Sequence, residues 1–179
     1  SFNVVKIQTD KDDNGSNDDG ILQFTNGSSN TVKGEIRYDE SEAMFEIGHG
    51  DNQGHLRIDA SGRVTKPSQP SFGAFQATAN YTAGSGYGKM IADGTRWNEG
   101  NHYSTANSRF TAPIAGVYHF SGHVNCYSIA ADYLLAIVFY VNNSSYVMGN
   151  RFYSRGASDL VASMSHTMKL DANDFVEVW

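Results

Sequence analysis

The sequence predicts an all-β protein with a small β-rich unit at its N-terminus and a longer β-sandwich or jelly roll behind it. Three observations carry that expectation. Apolar residues nowhere recur at i, i+3, i+4 and i+7 over three turns, so amphipathic helices are not expected. Short strand-like pieces are instead separated by Gly, Asn, Asp and Ser. The composition agrees: 18 Gly, 10 Tyr and 10 Phe in 179 residues favour strands and tight turns.

The first unit is read over residues 1–65. FNVVKIQT from Phe2 is a strand candidate, followed by the polar loop DKDDNGSNDDG. ILQFTN resumes a strand, NGSSNT turns, and VKGEIRY alternates Val32, Ile36 and Tyr38 with charged positions. AMFEIG and HLRID follow, the latter alternating Leu56 and Ile58 with His55, Arg57 and Asp59. Such alternation marks strands with one face buried and one in water. The large apolar side chains, Val4, Ile7, Phe24, Ile36, Phe45, Ile47, Leu56 and Ile58 among them, are few for a free-standing core. Ordering each residue costs roughly 1–2 kcal/mol of backbone entropy, so help from neighbouring chains is expected.

KPSQP, with two of the three prolines, predicts a short extended connector over 66–71. Beyond it the aromatics become denser and the strands longer. NNSS after the apolar run LLAIVFYV reads as a hairpin turn. MSHTMKL places Met164, His166, Met168 and Leu170 on one face, with Ser165, Thr167 and Lys169 on the other. In FTAPIAGVYHF, Pro113 fixes φ and removes a donor while Gly116 permits a turn. A-P-x-A-G is therefore a corner between two strands, with Phe110, Val117 or Tyr118, and Phe120 facing a core.

A net charge of −6 without a Lys/Arg run argues against nucleic acid and against an anionic membrane surface. No apolar run reaches the roughly 18 residues of a membrane-spanning helix. No signal peptide is visible and the chain starts at Ser1, as in a processed product or a fragment. The single Cys126 forms no internal disulfide and is read as a small apolar strand residue.

Few residues carry recognisable chemistry. Asp10, Asp12, Asn14, Ser16 and Asp18 fall at positions 1, 3, 5, 7 and 9 of a calcium loop, with Gly15 at position 6. Position 12 is Ile21 rather than Glu, and the flanks read as strands. The segment is thus either a Ca²⁺ loop of another kind or a hydrophilic turn. His119 and His123 share a strand face but stand about 13 Å apart, too far for one metal. No nucleophile elbow, phosphate loop or Cys motif occurs, and no enzyme is expected. Two distant carboxylates of a polysaccharide depolymerase would still escape such a search. Asn80 and Asn142 open N-x-Ser/Thr sites, which matter only in a eukaryotic secretory pathway. Tyr127, Tyr133, Tyr146, Phe152 and Tyr153 lie in or near expected loops. They serve either as rim packing or as receptor contacts.

The second unit resembles the C1q-like domain family over 72–179. The matching pieces are FGAF at Phe72, WNEGNHYS at Trp97, FTAPIAGVYHFSGHV at Phe110, LLAIVFYVNNSSYVM at Leu134 and ASMSHTMKLDANDFVEVW at Ala162. The resemblance implies a jelly-roll head that is non-enzymatic and assembles as a homotrimer at the tip of a stalk. Family members continue past FVEVW, which implies a head lacking its last strands. No G-X-Y repeat occurs, so the stalk is not collagen. The first unit, ending in LRIDASGRV, resembles bacteriophage tail-fibre sequences. Together the two resemblances imply a trimeric virion appendage that binds a host cell-surface receptor or glycan. A bacterial cell-surface or secreted adhesin is the alternative.

Overall fold

The computed structural model describes residues 20–26, 31–49, 52–78, 88–156 and 158–179. All regular structure among them is β, and the chain divides into two compact units, Ser1–Gln69 and Pro70–Trp179.

The first unit holds one antiparallel five-stranded sheet in sequential order: β1 (Gly20–Asn26), β2 (Thr31–Asp39), β3 (Met44–His49), β4 (Asn52–Asp59) and β5 (Val64–Thr65). Register sorts its side chains cleanly by face. Leu22, Ile36, Ile47 and Leu56 form one row across β1–β4, and Tyr38, Phe45, Ile58 and Val64 form the next across β2–β5. On the opposite face Arg37, Glu46 and Arg57 form a row of their own.

The burial of these two faces reverses the expectation from alternation. Glu46 and Glu35 are buried at 2% and 4% exposure, whereas Leu22, Phe24, Tyr38, Phe45, Ile47 and Val64 stay exposed. The polar row is held together by ion pairs. The Arg37 guanidinium meets Glu46 Oε2 at 2.5 Å and Asp39 at 3.0 Å, and Arg57 Nε meets Glu46 Oε1 at 2.9 Å. Gln23 Nε2 donates to Glu35 Oε2 at 3.2 Å. Long paired side chains thus cover one another with their own methylenes. Among the described residues the apolar rows have no comparable cover, with only Ile36, Leu56 and Ile58 half-buried.

The second unit opens with the ladder of β6 (Ser71–Phe75) and β7 (Gly94–Glu99). β8 (Tyr103–Ser104), β9 (Arg109–Thr111), β10 (Gly116–Ile129), β11 (Leu134–Val141), β12 (Ser144–Tyr153), β13 (Ser158–Leu170) and β14 (Phe175–Val178) follow. One sheet runs β12-β11-β14-β9-β8, and β10 pairs with β13 along nearly their whole lengths. Residues from these ladders meet in a single core that includes Phe110, Phe120, Ile137, Phe139, Met164, Met168, Leu170 and Val176, with Phe72 packed against it. Its centre is aromatic. Phe110 lies 5.3 Å from Phe72 and 5.4 Å from Phe120 between ring centroids. Face alternation in β13 is as expected: Met164, Met168 and Leu170 are buried, while Ser165, Thr167 and Lys169 are exposed. In β10 it is Tyr118 that turns toward Phe110, at 5.5 Å, and Val117 that points outward.

Three turns meet at one end of this sandwich. The A-P-x-A-G corner links β9 to β10, and Tyr118 Oη clamps it by donating to Ile114 O at 2.7 Å. Asn142 and Asn143 form a two-residue hairpin between β11 and β12, with φ of 50° and 64°. Both residues being left-handed matches the right-handed twist of the strands, and Asn tolerates that region. The third turn, Asp171–Asp174, binds both of the others. Ala112 N donates to Asp174 O and Asn173 N to Ala112 O, each at 2.8 Å. Asn142 Nδ2 donates to Asp174 Oδ1 at 2.7 Å, and Phe175 N donates to Asn142 Oδ1 at 3.0 Å. Hydrogen bonds from Asn142 and from the Asp171 backbone hold the Asp174 carboxyl below its ordinary range. Asn142→Ala is expected to cost about 1–2 kcal/mol from the left-handed backbone alone. Asn142→Gly keeps that backbone at ease and isolates the lost side-chain bonds. Thermal denaturation of the two variants measures the difference.

Candidate functional site

At the other end of the β11–β12 hairpin, four aromatic residues sit at the same end of the strands. Tyr153 stands opposite Leu134 and Phe152 opposite Leu135, with Tyr133 immediately before β11. The backbone ties Tyr133 to this end directly, since Ser154 N donates to Tyr133 O at 2.8 Å and Asp132 N to Ser154 O at 2.7 Å. Ser154 is itself buried. Its hydroxyl lies 3.1 Å from Ile129 O, which draws in the end of β10 that carries Tyr127. A bulge at Ser128, with φ of 55°, is fixed by Asp159 Oδ1 accepting from Ser128 N at 3.0 Å. The aromatic rings themselves remain exposed, Tyr127 and Tyr153 at 68% and 69%. Tyr146 stands apart. It lies near the Asn142–Asn143 turn, roughly 20 Å along β12 from Phe152, with its ring edge-on to His166 at 5.8 Å. The structure therefore places Tyr127, Tyr133, Phe152 and Tyr153 at one end of the strands, Phe152 on the Leu135 side of β12 and Tyr153 on the Leu134 side, and separates Tyr146 from them. Leu134, 43% exposed, joins the group without having been singled out by sequence. Its place in an apolar strand pattern gave no sign that it faces outward.

A shallow open groove crosses the β10–β13 face, lined by Ser121, His123, Asn150, Ser163, Met164 and Ser165. No carboxylate lines it. His119 lies along the same face, with Nδ1 3.0 Å from Thr167 Oγ1 and Nε2 3.2 Å from Ser165 Oγ. This Ser–His contact has no acidic residue behind the imidazole, which instead spends both ring nitrogens on neighbouring hydroxyls. Cys126 is free and partly buried, and burial pushes its thiol pKa up, away from nucleophilic reactivity.

One buried charge cluster supports the sandwich. Glu177, on β14, is 2% exposed. Its Oε1 meets Lys89 Nζ at 2.6 Å and Arg109 Nη2 at 2.9 Å, and its Oε2 accepts from Trp179 Nε1 at 3.1 Å. Lys89 Nζ also donates to Asn107 O. Burial opposes ionisation of Glu177, but the bonds from Lys89 and Trp179 and the charges of Lys89 and Arg109 outweigh it. The carboxyl is held below its ordinary pKa. Tyr103 is pushed up to about 12 by burial, with its hydroxyl donating to Ala92 O at 2.8 Å.

Among the described residues no group of three His, Cys, Asp or Glu side chains converges to hold a metal ion. Asp10, Asp12, Asn14, Ser16 and Asp18 lie outside the described residues. Among the described residues no helix is long and apolar enough to cross a membrane.

The A-P-x-A-G corner, the Asn142–Asn143 hairpin and the Asp171–Asp174 turn meet in a β-sandwich, and the profile of the C1q domain matches residues 74–179. The chain belongs to the C1q domain family. C1q domains are a non-enzymatic recognition fold and are typically extracellular or secreted. The globular domain of the zebrafish complement 1qA protein is similar in structure. It is 18% identical, covers 61% of this chain and 77% of its own, and gives a TM-score of 0.48. None of the curated proteins matches the chain. Within this C1q domain the aromatic group is carried by the β10, β11 and β12 ends, and the ion cluster by β9, β14 and the segment before β7.

Proposed function

We propose that the chain is the receptor-binding, adhesive part of a homotrimeric fibre, a phage tail fibre or another virion appendage, acting without catalysis. The observation that carries this reading is the exposed aromatic group of Tyr127, Tyr133, Phe152 and Tyr153 on a C1q domain. Exposed aromatics gathered on a rigid sheet end offer contact area at small entropic cost, and their hydroxyls add hydrogen bonding. Three copies convert a weak contact with a surface glycan or receptor into avid adhesion. The LRIDASGRV segment of the first unit supports the fibre setting by its resemblance to tail-fibre sequences.

The test uses the purified full chain with bacterial cells and with purified capsular polysaccharide and lipopolysaccharide. Light scattering is expected to give a trimer, and the protein is expected to be retained on cells without releasing soluble sugar. Combining Tyr133→Ala with Tyr153→Ala is expected to weaken retention about tenfold or more with the fold intact. A monomer, sugar release, or undiminished retention of the double variant overturns the reading.

A further inference from the structure

We infer that the apolar face of the β1–β5 sheet is an interface between copies of this chain, with three such faces enclosing one shared core. The inference rests on the trimeric reading above and locates a contact surface that the C1q family does not supply.

The face is continuous and uncharged. Its two rows run across the sheet in register, and no paired position in either row is charged. Phe24 and Val64, at opposite edges of the sheet, are 57% and 60% exposed, and Ile47 on the central strand is 42% exposed. The charged residues of the same strands are committed to the other face, where Arg37 and Arg57 both pair with Glu46. Among the described residues the sheet thus buries its ions and leaves its apolar side outward, the reverse of what a sheet in water favours. A second apolar surface is the complement such a face requires.

Size decides which surface that is. Five strands about 4.8 Å apart, some six residues long at about 3.4 Å each, give a face on the order of 400 Å². A stable complex between free partners buries about 800 Å² on each side. The face is too small to hold an independent protein. It is large enough for copies already held together elsewhere, because a tether raises the effective concentration to about the millimolar range. C1q domains commonly form trimers, so the second unit of the same chain is a ready tether. Identical apolar faces are also mutually complementary, with no charge to match.

The test is cross-linking of the full chain in a Cys126→Ser background. Ile47→Cys places a thiol at the middle of the apolar face, and Lys33→Cys places one on the opposite, polar face of β2. A bismaleimide reaching about 10 Å, the spacing of facing sheets, is added to the assembled protein. Ile47→Cys is expected to yield linked dimers on a denaturing gel, at least tenfold more than Lys33→Cys. Phe24→Cys, at the exposed edge, gives the same reading if Ile47→Cys fails to fold. A trimer by light scattering without links through Ile47 or Phe24 overturns this inference and leaves the trimeric reading standing. Equal linking from both faces also overturns it. A monomer overturns both.

Discussion

Replacing Glu177 by Gln is expected to lower the stability of the second unit by about 3 kcal/mol. Glu177 is the anion that Lys89 and Arg109 share, and its side chain is 1% exposed. Removing one partner of a buried ionic cluster typically costs about 3–5 kcal/mol, because the remaining charges lose their counterion. The lower end applies because Lys89 and Arg109 keep partial contact with water, at 28% and 31% exposure. A loss of that size corresponds to a fall in Tm of roughly 10–15 °C for a domain of this length. Calorimetry of Glu177→Gln measures it, and adding Lys89→Met is expected to restore part of the loss by removing an unpaired cation. The pH dependence has a definite sign. The folded pKa of Glu177 lies below the ordinary 4.5 of a glutamate. Its stabilisation is therefore fully present above about pH 4.5 and disappears as pH falls through the folded value. The gap between wild type and Glu177→Gln is expected to narrow below pH 4.5. A gap that stays constant from pH 7 to pH 3 would mean that the charge on Glu177 is not what stabilises the fold.

Phe110→Ala is expected to cost about 3–5 kcal/mol, through lost burial and the cavity left behind. Phe110 is 3% exposed and contacts Phe72, Tyr118 and Phe120 through its ring. Those contacts join β6, β9 and β10, so the gap opens where separate ladders meet and relaxation is limited. Val117→Ala, one residue into β10 but 73% exposed, is expected to change stability by less than about 0.5 kcal/mol. Denaturant unfolding of the pair tests the assignment of inward and outward positions. Comparable losses from both would contradict it.

The parts of the fold that short segments determine were legible in the sequence. Two successive asparagines between apolar runs specify a tight hairpin because both must adopt positive φ. Pro113 and Gly116 specify a corner for equally local reasons. MSHTMKL displays its faces because alternation has only two sides. The limits were those of range and of symmetry. Glu177 could not be matched to Lys89 and Arg109 from sequence, since all three are distant along the chain and each alone looks like a surface charge. The first unit shows the second limit. Alternation in VKGEIRY and AMFEIG separates an apolar from a polar face, but it does not say which is covered within one chain. Among the aromatic candidates, sequence picked residues that are all exposed, yet it had no means of separating Tyr146 from Tyr127, Tyr133, Phe152 and Tyr153. That grouping depends on Ser154 reaching back to Ile129.

The long β10–β13 ladder also sets the pace at which the second unit forms. Its pairs, from Gly116 with Leu170 to Ile129 with Ser158, join residues roughly thirty to fifty positions apart. The β11–β12 hairpin lies wholly inside that interval and closes over two residues. Hairpins of this kind form in about 1–10 μs, while sandwiches dominated by distant pairings take milliseconds to seconds. The Asn142–Asn143 hairpin is therefore expected to form early and to shorten the effective loop that β10 and β13 must close. Until they do, Met164, Met168 and Leu170 lie open to solvent on an unpaired strand. Slow closure of this one ladder is therefore expected to set how long that apolar strand stays exposed to aggregation.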